Sequence, residues 1–180
     1  YIIGPSGSGR TTLAAKLAAL LADTAKSNSI ILSEINNGNG QISDSLRGYA
    51  RLLNLKTSIV AKNKAPEHEF DSQKTIVDVS TNLSESIESI SSSKKIFGHK
   101  NVCVIMAVPG GSSNKLICSI HKVAEKLEPI IALSKLDECE ICYEGLEAIW
   151  KCLVIQLETV EDCTHAALIS NLLASLTYGL

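Results

Sequence analysis

The chain has 180 residues, of which 45% are hydrophobic and 20% are charged, and its formal net charge is -2. These are the values of an ordinary globular protein, and the length suits one domain with a sizeable core. Because the charge is nearly balanced and the lysines are scattered, we expect no direct nucleic-acid partner.

Two further properties bear on location. No apolar run reaches the roughly 18 residues that a membrane span needs. Six cysteines lie in apolar stretches, which favours reduced and mostly buried thiols and therefore a cytoplasmic protein. Since the chain starts without methionine, directly on a glycine-rich motif, we also expect a region of the protein to precede Tyr1.

Short β-branched runs alternate with helical patterns along the chain. An apolar run at residues 1–3 leads into the glycine-rich motif, and strands are predicted at 29–32, 57–60, 74–77, 101–107, 129–133 and 153–157. Apolar stripes at helical spacing predict helices between them, and a last helix is predicted over 164–176. The predicted inward-facing stripes are Leu13, Leu17, Leu20 and Leu21; Leu46, Tyr49, Ala50 and Leu53; Leu83, Ile87 and Ile90; and Leu116, Ile120, Val123 and Leu127.

This alternation predicts an α/β fold of three layers, in which helices cover both faces of a mainly parallel sheet. Ligands of such folds bind at the carboxyl ends of the strands. The serine-rich stretch 84–93 keeps its isoleucines at helical spacing, so we interpret it as a helix with a solvated serine face rather than as a linker.

Residues 4–12, GPSGSGRTT, match the phosphate-binding loop pattern G-x-x-x-x-G-K-[ST] except that arginine replaces the lysine. Glycines in such a loop let backbone N–H groups converge on phosphate oxygens, and the following helix adds its positive end. A glycine-rich turn without a ligand is the alternative, but the strand, loop and helix context favours a nucleotide loop. The nucleotide-binding candidates are Gly4, Pro5, Ser6, Gly7, Ser8, Gly9, Arg10, Thr11 and Thr12.

Arg10 keeps the charge of the expected lysine but not its shape. A lysine ammonium is a compact charge that bridges the outer phosphates, whereas a guanidinium is longer, planar and suited to bidentate contacts. Because positioning supplies nearly all the catalysis in phosphoryl transfer, we expect weaker binding or altered phosphate geometry, and slower hydrolysis.

Two later motifs suggest a family. Asp78 lies at the end of an apolar strand in FDSQKTIVDVSTN, where a nucleotidase carries its magnesium-linked acid, and PIIALSKLDE places Lys135 and Asp137 after another strand. Together with the loop, SKLDE resembles the T-K-L-D guanine motif of the signal recognition particle (SRP) GTPases, and most closely that of the flagellar SRP-like GTPase FlhF. The resemblance covers residues 1–180 as a single GTPase domain whose N-terminal region is missing.

The resemblance implies a P-loop NTPase fold that binds GTP or GDP with Mg²⁺. It implies that Asp137 accepts hydrogen bonds from guanine while Lys135 packs along the base. A carboxylate distinguishes guanine from adenine, which argues against an ATP-using protein. The resemblance also assigns Thr11 and Asp78 to the metal, and Arg10 and Asp78 to catalysis.

The family also implies partners and a role. Its members pair through their nucleotide faces, so a homodimer or heterodimer is implied, together with membrane-targeting machinery. Such a protein would act in protein targeting or flagellar biogenesis, in the cytoplasm or at the inner face of the cell membrane.

Three segments depart from the family pattern. Asn36, Asn37, Gly38 and Asn39 stand where the family has an acid and an arginine, and Thr81 replaces the glycine of D-T-A-G-R. The segment 156–159 lacks the glycine expected after the last strand. We therefore expect a GTP-binding protein with weak or lost hydrolysis, and the alternative is a nucleotide-independent docking module, a pseudo-GTPase.

Cys139 and Cys142 form a C-x-x-C pair that could hold zinc. A structural zinc site usually needs a second close pair, which only Cys163 and His165 approximate, so buried thiols are the favoured interpretation. The histidines are expected on helix faces or at the surface, at His68, His99, His121 and His165.

Overall fold

A computed structural model of the chain describes residues 1–24, 29–37, 40–61, 64–66 and 73–136. The strands within these ranges are β1 (Ile2–Ile3), β2 (Ile30–Ile35), β3 (Lys56–Ile59), β4 (Lys74–Val79), β5 (Ile105–Pro109) and β6 (Ile130–Ser134). The α-helices are α1 (Arg10–Thr24), α2 (Asp44–Leu52), α3 (Leu83–Phe97) and α4 (Asn114–Ala124), with 3-10 turns at His99–Asn101 and Glu125–Leu127.

The strands form one sheet in the order β3-β2-β4-β1-β5-β6, and every pairing is parallel. The short strand β1 lies near the middle, where Ile2 pairs with Asp78 of β4 and with Ile105 of β5. The predicted α/β class with a parallel sheet is therefore confirmed for the described residues. Strand β5 begins later than predicted, at Ile105, and a 3-10 turn at His99–Asn101 precedes it.

Apolar residues are buried on both faces of the sheet. Since successive strand residues point to opposite faces, Ile2 and Ile76 pack with α1 and α2, whereas Ile3 and Val77 pack with α3 and α4. Strands buried on both sides read as continuous apolar runs, as the first half of β2 does. Helices accordingly cover both faces.

The connections place a crevice next to β1. The chain leaves β1 into α1 on one face and leaves the neighbouring strand β4 into α3 on the other face. A crevice opens at the carboxyl ends where successive connections diverge in this way, and ligands of open α/β sheets bind there.

Helix α3 forms where the serine-rich stretch predicted a helix, but the prediction of a solvated serine face is wrong for three of its serines. Ser86, Ser89 and Ser93 are fully buried. Their hydroxyls are paired inside the protein: Ser89 Oγ donates to the backbone oxygen of Lys64 at 2.8 Å, and Ser93 Oγ donates to that of Ser89 at 3.0 Å. These bonds offset the cost of burying the hydroxyls.

The predicted inward stripe of α4 is also partly wrong. Leu116 and Val123 are 41% and 48% exposed, whereas Ile117, His121 and Ala124 are buried. The buried face is thus turned by one residue, about 100° around the helix. His121, which was expected on a helix face or at the surface, lies on the buried face of α4 as a consequence.

The remaining expectations divide between the described and the masked parts of the chain. Cys103 and Cys118 are exposed, so their predicted burial is wrong. The other four cysteines, His68 and His165, the strand predicted at 153–157 and the helix predicted at 164–176 lie outside the described residues. None of the described helices has both the length and the hydropathy of a membrane-spanning segment.

Candidate functional site

Residues 4–9 form a loop between β1 and α1, as predicted. Gly4 has a φ of 147°, and a Cβ placed on it would lie 2.4 Å from the backbone oxygen of Ala107 in β5. Gly7 and Gly9 have φ angles of 75° and 78°, in the left-handed region that favours glycine. The loop glycines are therefore required by the backbone itself, because it passes against β5 and then turns sharply into α1.

The loop ends at the N-terminus of α1, which starts at Arg10. The amide of Leu13 donates to the oxygen of Gly9 at 2.8 Å, which closes the first helical turn. No acidic residue lies in that turn. The partial positive charge of this 15-residue helix is thus not offset locally, which suits an anionic ligand.

Thr11 and Asp78, the predicted metal pair, are in direct contact. Thr11 Oγ1 donates a hydrogen bond of 2.6 Å to Asp78 Oδ2, and Asp78 is fully buried. Its other oxygen, Oδ1, has no hydrogen-bond partner among the described residues. Burial raises the pKa of the Asp78 carboxyl, the bond from Thr11 and the charge of Arg10 lower it, and the carboxylate of Glu34 raises it further.

Arg10 lines the cleft beside the loop and contacts the end of β4. Its guanidinium donates to the backbone oxygen of Val79, at the carboxyl end of β4. The positive charge therefore stays in the crevice, close enough to Asp78 to lower the pKa of that carboxyl. This bond occupies only part of the guanidinium, whose other N–H groups remain available as donors.

The carboxyl end of β6 meets the loop from the other side. Ser134 Oγ donates to the backbone oxygen of Ser8 at 2.7 Å, and a Cβ on Gly9 would lie 3.7 Å from Ser134 Cβ. Lys135 follows at once, half-buried and with a φ of 56°. Asp137 lies outside the described residues. The start of the SKLDE segment and the glycine loop thus share one edge of the sheet.

A cleft of about 510 Å³ opens between the loop and the start of α3. Its lining contains hydroxyl, amide and guanidinium groups, and no carboxylate comes from the described residues that line it. The lining comprises Gly4, Pro5, Ser6, Arg10, Asn37, Ser80, Thr81, Asn82, Leu83, Ser84, Ser119, Ile120 and Val123. Such a surface favours an anion over a cation.

Glu34 is a site residue that sequence reasoning missed. It pairs in register with Asp78, so both side chains lie on the α1 face of the sheet, and it is only 2% exposed. Its Oε2 accepts a 2.7 Å hydrogen bond from the amide of Ser43, just before α2. The signal was present in the sequence, because a glutamate inside the strand IILSEI is costly to bury without a reason.

The two departures near β2 and β4 have local structural roles. Asn36 Nδ2 donates to the backbone oxygen of Gln41 at 2.8 Å, and Asn37 lines the cleft; residues 38 and 39 lie outside the described part. Thr81 is buried, has no positive φ, and shares a hydrogen bond with the hydroxyl of Ser86. The backbone at residue 81 therefore does not need a glycine.

No known family model matches the chain, and a search of curated proteins found no significant match. Within the described ranges, no group of three or more histidine, cysteine, aspartate or glutamate residues is arranged to hold a metal ion. Cys139 and Cys142 lie outside those ranges, so buried thiols stay the prediction for them and zinc the alternative.

Proposed function

We propose that this domain binds a guanine nucleotide with Mg²⁺ in the manner of the SRP-type P-loop GTPases, most like FlhF, and that its hydrolysis is slow or lost. One observation carries the proposal. The glycine loop, Asp78 and the end of β6 meet at one edge of the sheet, joined by the hydrogen bonds from Thr11 to Asp78 and from Ser134 to Ser8.

The loop amides and the N-terminus of α1 would hold the phosphates. The residues suit Mg²⁺, since Asp78 Oδ1 is a buried carboxylate oxygen that no described residue bonds, and Thr11 offers a hydroxyl beside it. When bound, the ion supplies positive charge against the phosphate oxygens. Lys135 and Asp137 would contact the base, on the strength of the sequence resemblance.

Several features support slow turnover. The Nη1 group of Arg10 is bonded to the Val79 oxygen, and a planar guanidinium does not reproduce the position of an ammonium. Residues 36–39 carry no acid, and Thr81 stands in place of glycine. Because catalysis of phosphoryl transfer depends on positioning, each change is expected to cost rate more than binding. By the same resemblance, we propose a role in protein targeting or flagellar biogenesis, in the cytoplasm or at the inner membrane face.

The bond between Arg10 and Val79 also favours a second candidate function. The backbone oxygen of Val79 already pairs with the positive charge of Arg10, so this charge does not need a bound phosphate. A docking module would need such a loop, which is stable without a ligand. Such a pseudo-GTPase would pair with a related GTPase through this edge of the sheet without nucleotide.

A titration with fluorescent GDP, GTP and ATP in the presence of Mg²⁺ separates the two. We expect the guanine nucleotides to bind, ATP to bind at least about tenfold more weakly, and Asp137→Asn to remove the preference. The control is Glu125→Gln, an exposed change on the 3-10 turn after α4. If no nucleotide binds at millimolar concentration, the docking module is supported instead.

A further inference from the structure

Two buried carboxylates lie side by side at the carboxyl end of the sheet. Glu34 and Asp78 are 2% and 0% exposed and occupy paired positions on adjacent parallel strands. Neighbouring strands are about 4.8 Å apart, so the two side chains project from the same face at close range. Two like charges buried together are costly unless something positive lies between or beside them.

The described protein groups compensate this pair only in part. Glu34 Oε2 accepts from the Ser43 amide and Asp78 Oδ2 accepts from Thr11, but both donors are uncharged. Asp78 Oδ1 accepts no hydrogen bond from the part of the chain that the structure describes. The nearby guanidinium of Arg10 donates to the Val79 oxygen rather than to either carboxylate. Among the described residues, neither carboxylate is bonded directly to a positively charged side chain.

We propose that Glu34 is the second carboxylate of a divalent-cation site formed with Asp78 and Thr11, and that this site holds a cation in the absence of nucleotide. The proposal rests on the proposed function in that it concerns the same edge of the sheet. Two carboxylates and a hydroxyl are the hard oxygen donors that Mg²⁺ and Mn²⁺ prefer. The charge of the two acids balances that of the ion, so no phosphate oxygen is needed for neutrality.

Glu34 also accounts for one departure from the family pattern. The resemblance expects an acid after β2, and residues 36–39 do not provide it. Glu34 supplies a carboxylate from within β2 itself, in register with Asp78. Through the Ser43 amide it also links the site to the start of α2, so an ion bound here would fix the segment between β2 and α2.

The test is a titration of nucleotide-free, chelator-treated protein with Mn²⁺, followed by electron paramagnetic resonance. We expect one Mn²⁺ to bind in the submillimolar range, and Glu34→Gln to weaken binding at least about tenfold. Glutamine retains an oxygen that can accept from Ser43, and Asp78→Asn in the same assay provides a second variant. Glu88→Gln, an exposed change on α3, is the matched control and should bind as the parent does.

A second readout guards against misfolding. Mn²⁺ at saturating concentration should raise the melting temperature of the parent and the control but not that of Glu34→Gln, since only a ligand bound to the folded state stabilises it. Equal Mn²⁺ affinity in the parent and Glu34→Gln, or no binding to the parent at about 10 mM, would overturn the inference. If guanine nucleotides bind although one of these two results is obtained, the inference about Glu34 fails and the proposed function does not. If Mn²⁺ binds but no guanine nucleotide does, only the proposed function fails.

Discussion

The first prediction concerns a methyl group added to Gly4. The Cβ of an alanine would lie 2.4 Å from the Ala107 backbone oxygen and 2.8 Å from Ser8 Oγ, whereas ordinary contacts begin at 3.4 Å. The Ala107 oxygen belongs to the central sheet, so the approach can lengthen only if β1 and β5 separate. Overpacking of this kind costs about 1–3 kcal/mol, and a positive φ adds about 1–2 kcal/mol for a non-glycine residue. Gly4→Ala should therefore lower the free energy of unfolding by about 3 kcal/mol, a large share of the 5–15 kcal/mol typical of a domain.

Chemical denaturation by urea, followed by circular dichroism, measures this loss, and two other glycines separate its causes. Gly7 has a φ of 75° but open space around its Cβ position, so Gly7→Ala should cost only about 1 kcal/mol. Gly48 lies in α2 with nothing within 4 Å, and Gly48→Ala should stabilise the protein by about 0.5–1 kcal/mol. Equal unfolding midpoints for Gly4→Ala and Gly7→Ala would refute the close approach of the loop to β5.

Three further predictions follow from the site. Arg10→Lys removes the guanidinium bond to the Val79 oxygen and restores a compact positive charge. We therefore expect faster phosphate release in a single-turnover GTP assay, and an unchanged or slower rate would contradict this prediction. Ser134→Ala removes the hydrogen bond to Ser8, which is worth about 1 kcal/mol net. We therefore expect guanine nucleotide binding to weaken about fivefold in a fluorescence titration, and an unaltered affinity would contradict this prediction. Because burial raises the pKa of Asp78, its ionised form is disfavoured in the folded state, and stability falls as pH rises from the unfolded pKa of about 3.9 to the folded pKa. Asp78→Asn avoids this fall, so in chelator its melting temperature should exceed that of the parent at neutral pH, and the gain should shrink toward about pH 4; a lower melting temperature at neutral pH would contradict it.

Local patterns predicted most of the described fold because they depend on neighbours in the sequence. The β-branched runs became strands, and the glycine loop lies between β1 and α1, since its required backbone angles are set by its own residues. Ser134 and Ser8 meet because β1 and β6 are strands of one parallel sheet, so the segments that follow them start at the same edge.

Features that depend on distant partners were missed. Glu34 matters because it pairs in register with Asp78. The register between two strands cannot be predicted from the sequence of either strand alone. The burial of Ser89 depends on Lys64, which lies 25 residues earlier in the chain. Packing on the sheet decides which face of α4 is buried. That face includes Ile117 rather than the neighbouring Leu116, which the sequence pattern had placed inside.

The polar face of α3 has a mechanical consequence. Thr81 is bonded to Ser86 in the first half of the helix, and further along Ser89 and Ser93 are held by hydroxyl bonds of fixed direction. Directional bonds resist rotation more than apolar contacts do. Because Ser89 ties the middle of the 15-residue helix to the backbone of Lys64, a movement of the segment after β4 would be opposed there.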